Sequence, residues 1–394
     1  LTVLCIYDKI IKFKNIPESM VSTIILYYLL TTDLGKEILI KILFNSDNYG
    51  QFCNLLKIEG RASKQSQHLY RSDLNVLFEL NVLVNRIEKE PDWVGEVNNR
   101  TKPNLVNLNN DYVYEKAKDI FMQGYLEGKT PKLSTWKDYW DQRWAIMPTG
   151  SVVSQYREDK EEFKQIPALL RNKTSYFSRL KQRKFGFYFN RRQEIFASSS
   201  IKYEWGKSRA IYGCDITSFL MADFSMRDCE NTLPSIFPVG KLAETEKVKN
   251  QVRQLANGIP LCYDYDDFNS QHSFSNMEAV IQAWFDVFGG YLSPEQQLST
   301  LWTKASIRNS TFKINSDLYK KENPLDANVI HKCEGTLFSG WRLTAFMNTV
   351  LNRIYLLKAG LAENSMYSLH NGDDVLASIE YFGDGINIIN NAKK

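Results

Sequence analysis

The most informative segment of the sequence reads Gly335-Thr-Leu-Phe-Ser339-Gly340-Trp-Arg-Leu-Thr344-Ala-Phe-Met-Asn348. Its Ser-Gly pair can form a flexible loop, because glycine accepts backbone conformations that other residues avoid. A helix is predicted to follow, since apolar residues recur on one helical face, namely Leu343, Phe346, Val350, Leu351, Ile354 and Leu357. Thr344, Asn348 and Asn352 line a second face. Such short, uncharged side chains suit a site that reads a ribose hydroxyl, or they satisfy neighbouring backbone groups.

Two acidic segments occur on either side of this helix in the sequence. The first, Asp264-Tyr-Asp-Asp-Phe-Asn269-Ser-Gln-His272, follows the short apolar run 259–263, which suits a buried strand. The second, His370-Asn-Gly-Asp373-Asp374, lies between the apolar runs 366–369 and 375–379. Because Asn-Gly between two such runs is a strong hairpin signal, we expect Asp373 and Asp374 at the tip of a hairpin.

Carboxylates at the end of a buried strand are costly unless a cation neutralises them. Two strands that carry carboxylates suit a two-metal phosphoryl-transfer site, in which two Mg²⁺ ions about 3.5–4 Å apart hold the attacking and leaving oxygens. Asp264 and Asp373 are predicted to bridge both ions, which could also be Mn²⁺. Asp374 is a third candidate ligand and Asp267 a weaker one. Either acidic turn alone would more often be a solvated loop.

Basic residues precede the acidic segments. In the predicted strand Lys202-Tyr-Glu204-Trp-Gly-Lys207-Ser-Arg209, alternate residues share a face, so Lys207 and Arg209 could neutralise a triphosphate together. A solvated charged strand is the alternative. Eight Lys or Arg residues and no acidic residue occupy 171–192, interleaved with aromatic rings. This mixture suits single-stranded RNA, and an amphipathic element with a solvated basic face is equally open. The predicted RNA-binding residues here are Arg179, Lys181, Arg183 and Lys184.

Composition sets weaker limits on the 394-residue chain. The net charge of +4 does not by itself indicate a nucleic-acid partner. Six cysteines without a C-x-x-C pair indicate neither a zinc site nor a disulfide framework, and they fit a reducing compartment. The longest apolar run, 20–30, is too short to span a bilayer. We see no signal peptide, and the leading Leu is typical of a segment of a longer polypeptide.

The motifs together resemble those of a known enzyme family. Ser-Gly-x-x-x-Thr-x-x-x-Asn followed by Gly-Asp-Asp is the pattern of palm motifs B and C in viral RNA-dependent RNA polymerases. The segment from Asp264 to His272 resembles motif A in the form that totiviruses have. The residues of motifs B and C are especially similar to those of yeast double-stranded RNA viruses. The resemblance covers roughly residues 145–394.

This resemblance implies an α+β right-hand polymerase fold with fingers and palm. It divides the chain into a mostly helical region at 1–145, fingers at 146–258 and a palm at 259–394, with a fingers insertion at 295–335. A thumb and motif E are not recognised before the chain ends. Lys393 or Lys394 is a weak candidate for the lysine of motif D.

The resemblance also assigns residues. Nucleotide contacts are implied for Ser339, Gly340, Thr344 and Asn348 in motif B and for Lys202, Lys207 and Arg209 in motif F. Thr149-Gly150-Ser151 resembles motif G, where the template enters. Many polymerases place an Asp where this chain has Asn269, and an Asn there can still bond a 2′-hydroxyl.

The implied partners are an RNA template and product, ribonucleoside triphosphates and a capsid protein fused in the full polypeptide. No membrane is implied, and the implied location is the virion interior or host cytoplasm. One rival is a reverse transcriptase, which Gly372 and the motif B pattern argue against. Another is a catalytically incomplete polymerase remnant that binds or packages RNA, against which the intact Asp264, Asp373 and Asp374 argue.

Overall fold

The computed structural model describes residues 2–14, 16, 18–66, 72–84, 91–204, 207–255, 257–265, 267–315, 329–361 and 368–393. The chain forms two compact units. The first unit comprises Leu1–Asp92 together with Ile201–Ala210, and the second comprises Trp93–Ser200 and Ile211–Lys394. The predicted three-part division into helical region, fingers and palm stays a prediction.

The first unit is helical in its described residues up to 84. Thr32 and Asn48 cap two of its helices, because their side chains accept backbone N–H groups of the first turn. Ile24, Leu39, Leu43, Phe52 and Leu56 are fully buried in its core. Its α-helices are α1 Thr2–Ile11, α2 Glu18–Leu30, α3 Asp33–Phe44 and α4 Tyr49–Gln65, followed by 3₁₀ turns at Ser72–Leu77 and Leu80–Val84.

The second unit combines helices with two sheets. Its first helices are α5 Trp93–Thr101, α6 Asn110–Leu126, α7 Trp136–Asp141, α8 Arg143–Ile146, α9 Arg157–Lys164, α10 Lys173–Arg179 and α11 Phe185–Phe189. The later ones are α12 Ile216–Ser225, α13 Thr245–Leu255, α14 Phe274–Phe288, α15 Pro294–Ser306, α16 Thr344–Lys358 and α17 Phe382–Ala392. Helix α16 is the one predicted after the Ser-Gly loop, and every residue from Phe346 to Leu356 is buried. The helix is therefore central to the unit.

One sheet has four strands in the order β2-β1-β4-β5. Its strands are β1 Ile195–Glu204, β2 Lys207–Cys214, β4 Ser310–Lys313 and β5 Ile330–Lys332. Residues 201–204 of β1 and 207–210 of β2 are assigned to the first unit. Strand β4 pairs parallel with β1 and antiparallel with β5. The predicted insertion at 295–335 thus contributes two strands to the sheet of β1 and β2, although residues 316–328 within it lie outside the described residues.

The second sheet is antiparallel, in the order β3-β7-β6. Its strands are β3 Ile259–Tyr263, β6 Ser368–Asn371 and β7 Asp374–Ile379. The predicted hairpin is confirmed, with Asn371 paired to Asp374 across a two-residue turn of Gly372 and Asp373. Gly372 has a φ of 64°, which suits glycine at the first position of such a turn. The predicted strand start at 366–367 lies outside the described residues.

An aromatic core fills another part of the second unit. Trp136, Trp140, Tyr176, Tyr188 and Phe224 pack there with their side chains almost wholly buried. The prediction of a mixed α+β fold is confirmed, and the prediction of helices before residue 145 agrees with the elements from α1 to α8. Among the described residues, the helices are each too short or too polar to cross a bilayer.

Candidate active site

Three carboxylates lie at one end of the antiparallel sheet. Strand β3 ends at Tyr263, which pairs with Val375, so Asp264 continues the register beside Asp374. Asp374 begins β7, and Asp373 occupies the preceding turn. All three residues are exposed. The sheet register therefore unites two acidic segments more than 100 residues apart in sequence.

The carboxylates at this end of the sheet repel one another. Partial burial and the neighbouring carboxylates of Asp373 and Asp264 raise the pKa of Asp374. In the described ranges no cation or hydrogen-bond donor pairs with the side chains of these three residues. Nor do any three acidic, His or Cys side chains of those ranges converge closely enough to chelate an ion. Mutual repulsion is the physical reason for carboxylates to stay apart.

Asp267 stands apart from the three carboxylates. It has a left-handed backbone, with a φ of 49°, and starts the 3₁₀ turn Phe268–Gln271. Asn99 Nδ2 donates to its carboxylate at 3.5 Å. Its neighbour at position 266 lies outside the described residues. The role of Asp267 as a weaker metal ligand stays a prediction.

Helix α16 holds the acidic turn from one side. The Gly372 N–H donates to Thr349 Oγ1 at 2.9 Å. Asn352 Nδ2 donates to the carbonyls of Gly372 and Asp374 at 3.1 and 3.3 Å. Asn352 Oδ1 in turn faces His370 Nδ1 at 3.1 Å. These three bonds tie the turn to the helix, which therefore sets where Asp373 and Asp374 lie.

Buried His370 determines which way the side-chain amide of Asn352 is turned. Burial, and secondarily the charge of Arg353, hold the pKa of His370 well below its usual range, so the ring is neutral. Its Nδ1 faces an amide oxygen and therefore carries the proton. The Nε2 atom then accepts from Ser368 Oγ at 3.1 Å. Asn352 is thereby oriented with its amide nitrogen toward the turn.

The predicted nucleotide-contacting residues of motif B divide into two groups. The Thr344 hydroxyl lies 2.7 Å from the Phe338 carbonyl and 2.8 Å from the Trp341 carbonyl, so it donates its hydrogen bond to the preceding loop. Asn348 instead reaches motif A, because its Nδ2 donates to Asn269 Oδ1 at 2.8 Å. Thr344 therefore satisfies neighbouring backbone groups, whereas contact of Asn348 with a ribose hydroxyl stays a prediction.

The loop of Ser339 and Gly340 is exposed and lies against the end of β2. The Tyr212 N–H donates to Ser339 Oγ at 3.2 Å. A side chain at Gly340 would place its Cβ 2.3 Å from the Tyr212 carbonyl oxygen, so this close approach requires glycine. Gly340 also forms a bridge with Gly213. Contact with nucleotide at Ser339 and Gly340 stays a prediction.

The predicted motif G segment is an exposed loop at 149–151. The Lys173 N–H donates to the Gly150 carbonyl at 2.8 Å and anchors the loop. Ser151 Oγ would lie 3.3 Å from a Cβ built on Gly213. The structure therefore brings this loop and the Ser339–Gly340 loop to the same glycine.

The predicted motif F residues belong to the first unit, whereas the three carboxylates belong to the second. Lys202 and Arg209 are exposed on β1 and β2. Lys207 is the first residue of β2. Their contact with a triphosphate stays a prediction.

The basic stretch 171–192 has a buried aromatic side. Tyr176, Phe177 and Tyr188 lie in the core, so these rings are not available to stack on bases. Arg183 is largely buried, pairs with Glu162 and stacks on Phe187. Arg179, Lys181 and Lys184 are exposed. The structure favours the amphipathic alternative for the rings and leaves three of the four predicted RNA contacts facing solvent.

A cleft of about 600 Å³ opens beside Asp264. Basic side chains reach it from the end of α16 and from the residue after α17, namely Lys358 and Lys393. Lys393 thus lines the same cleft as the first catalytic candidate, and Lys394 lies outside the described residues. Both lysines oppose the negative charge at this end of the sheet.

Sequence reasoning does not single out Thr349, His370 or His272. Thr349 bonds Gly372 in the acidic turn, His370 bonds Asn352, and His272 bonds the predicted site residue Asn348. Thr349 and Asn352 are three apart on a helix, which places them on one face. That spacing is a usable signal for Thr349. Buried histidine partners have no comparable signal, because the contacts join segments that are distant in sequence.

Comparisons with known proteins identify the family. The sequence profile described as viral RNA-directed RNA-polymerase matches residues 13–394. The chain belongs to this family. The chain is 40% identical to the "Probable RNA-directed RNA polymerase" of Saccharomyces cerevisiae virus L-BC over 381 residues, 97% of this chain and 24% of that protein. It is 37% identical to the protein of the same name from Saccharomyces cerevisiae virus L-A over 334 residues, 83% of this chain and 21% of that protein.

A more distant member of the viral RNA-directed RNA polymerase family comes from Helminthosporium victoriae virus-190S, with 28% identity over 82% of this chain and 37% of that protein. The predicted similarity to polymerases of yeast double-stranded RNA viruses is confirmed. The chain spans about a quarter of the length of its yeast-virus relatives.

Proposed function

We propose that the protein containing this chain is an RNA-directed RNA polymerase that joins nucleotides on an RNA template. One observation carries the proposal. Asp264, Asp373 and Asp374 lie at one end of a sheet, and the motif B helix α16 holds the turn that contains Asp373. In the reaction a 3′-hydroxyl attacks the α-phosphate of a ribonucleoside triphosphate, and pyrophosphate leaves. Such a transfer needs positioning and charge neutralisation more than covalent chemistry.

The carboxylates fit divalent metal ions by their chemistry. Three exposed oxygen-donor side chains without a described cationic partner match the preference of Mg²⁺ for carboxylates plus substrate phosphates. Asp264 and Asp373 would hold two ions, with Asp374 as a third ligand. Bound Mg²⁺ or Mn²⁺ would supply charge neutralisation for the phosphates.

Primer extension by the full-length protein tests the proposal directly. We expect incorporation of ribonucleotides on an RNA template in the presence of Mg²⁺ or Mn²⁺. RNA binding without incorporation would favour an RNA-packaging remnant instead. A preference for deoxyribonucleotides would favour the reverse transcriptase, against which the family match already argues.

Asn348 and Asn269 are proposed to select ribose over deoxyribose. Their side chains hydrogen-bond to each other. A site built to bond a hydroxyl rejects the analogue that lacks it, because polar groups are left unpaired. We expect Asn348→Ala and Asn269→Ala each to lower the preference for a ribonucleotide over its 2′-deoxy counterpart by at least about tenfold.

The measurement compares kcat/KM for the two nucleotides in each variant. Asn309→Ala is a matched control, because this exposed asparagine bonds the Gln193 carbonyl outside the site. An unchanged preference in both site variants would exclude the role for the pair.

Substitution of Thr349 tests the hydrogen bond that holds the turn containing Asp373. Thr349→Val keeps the side-chain shape and removes the acceptor of the Gly372 N–H. We expect incorporation to fall about tenfold, because the loss of one hydrogen bond loosens the turn that carries two carboxylates. Thr349→Ser restores the hydroxyl and should recover activity to within about threefold. Equal activity of the Val and Ser variants would show that the bond does not position the turn.

The wider assignments rest on the family. A fused capsid protein as partner, and a location in the virion interior or host cytoplasm, are proposed from the yeast-virus relatives, which are far longer than this chain. The arrangement of fingers and palm, and the lack of a thumb in these residues, are likewise proposals. The elements from β3 to α17 are the proposed palm.

A further inference from the structure

A chain of hydrogen bonds links the end of motif A to the motif B helix. His272 Nδ1 lies 3.1 Å from the Tyr355 hydroxyl, and its Nε2 lies 3.0 Å from Asn348 Oδ1. Asn348 Nδ2 then donates to Asn269 Oδ1 at 2.8 Å. His272 is fully buried and Asn348 is 6% exposed. The chain thus runs from the protein interior to half-buried Asn269.

The hydrogen bonds of this chain all donate in the same direction. Burial lowers the pKa of His272 to about 4, although the bond to Asn348 opposes this shift, so the ring is neutral at physiological pH. A neutral imidazole donates at one nitrogen and accepts at the other. Because Nε2 faces an amide oxygen, Nε2 donates and Nδ1 accepts from the Tyr355 hydroxyl.

This direction decides which group Asn269 offers. Its carbonyl oxygen accepts from Asn348, and among the described residues its amide nitrogen donates to no protein group. If the His272 proton were on Nδ1, the amides of Asn348 and Asn269 would satisfy the chain in the reverse sense. Asn269 would then offer its oxygen instead of its nitrogen.

Backbone contacts fix the same groups in place. The Thr336 N–H donates to the His272 carbonyl at 2.8 Å, and the Leu337 N–H donates to the Asn269 carbonyl at 2.8 Å. Thr336 has a φ of 82°, a strained conformation for a β-branched residue. Phe268 packs edge-on against the His272 ring, with ring centroids 4.5 Å apart. Surrounding structure therefore holds a costly conformation in order to keep these segments together.

We propose that His272 is a positioning residue for sugar selection, which orients the Asn348–Asn269 pair so that the Asn269 amide nitrogen donates to the nucleotide 2′-hydroxyl. The inference rests on the proposed polymerase function. Tyr355 completes it, because its hydroxyl occupies Nδ1 and leaves Nε2 to the Asn348 amide. Both residues are buried, and His272 bonds Asn348 directly, so their effect on selection passes through Asn348.

The test uses His272→Phe and His272→Gln in the full-length protein, with kcat and KM measured for a ribonucleotide and its 2′-deoxy counterpart. His272→Phe keeps a ring and removes both nitrogens, and we expect the ribose preference to fall about tenfold, through ribonucleotide kcat/KM. The Gln side chain can donate to Asn348 from an equivalent position, so His272→Gln should retain the preference to within about threefold. His331→Phe is the matched control, because His331 Nε2 has no hydrogen-bond partner in the described part of the chain.

Tyr355→Phe provides a second, milder variant that removes only the hydroxyl. A reduced ribose preference in this variant supports the inference even if His272→Phe does not fold. An unchanged ribose preference in Tyr355→Phe and in folded His272→Phe would overturn the inference. It would also be overturned if His272→Phe lowered kcat/KM equally for both nucleotides and His272→Gln did not restore it. Wild-type protein without any incorporation would refute the polymerase function itself, which is a separate outcome.

Discussion

Replacing Asp373 by Ala is expected to reduce nucleotide incorporation about a thousandfold, while RNA binding stays within about threefold of the wild-type value. Asp373 occupies the turn between β6 and β7, beside Asp374 and at the same end of the sheet as Asp264. Loss of a metal ligand should cost several kcal/mol of transition-state stabilisation. RNA backbone contacts depend on other, cationic groups and should persist.

Single-turnover primer extension measures the first quantity, and filter binding at fixed salt measures the second. Asp384→Ala is the matched control, because Asp384 is an exposed carboxylate in the first turn of α17, away from the acidic turn. Asp373→Ala protein that retains more than about a tenth of wild-type incorporation would be incompatible with a metal-binding role for this residue.

Replacing Asp159 by Ala is expected to cost about 3–5 kcal/mol of the free energy of unfolding. Asp159 is fully buried and takes two bonds from the Arg191 guanidinium, at 2.8 and 3.0 Å. Ser154 and Tyr176 also donate to it. The variant would leave the largely buried Arg191 charge without its principal partner, which is the costly way to break a buried ion pair.

Urea unfolding followed by tryptophan fluorescence is a suitable measurement, because Trp136 and Trp140 lie in the aromatic core with Tyr176. Glu161→Ala on the same helix is the control. Glu161 pairs with Arg157 on the surface, where an ion pair contributes about 0.5 kcal/mol. Similar losses for the two variants would show that the Asp159 cluster is not a stabilising centre.

These two residues illustrate different degrees of predictability. The acidic turn at Asp373 can be predicted from the sequence, because Asn-Gly between apolar runs has a strong local preference for a hairpin. The buried cluster of Asp159 could not be predicted, since no sequence pattern connects Asp159 with Arg191, 32 residues further along the chain. Only packing of the aromatic core removes them from water.

The sequence by itself determined the helix after Ser339-Gly340, the hairpin at Asp373, the mixed α+β class and the family. The helix and the hairpin follow from periodicity and turn chemistry, which act over a few residues. The family, and with it the α+β class, follows from the resemblance and order of motifs spread over more than 100 residues. Tertiary structure decided which polar groups of α16 serve the loop, the turn or motif A. It also decided that His272 directs Asn348, because a hydrogen bond needs two atoms at a fixed distance and angle, and residues 76 apart in sequence meet only in the folded chain.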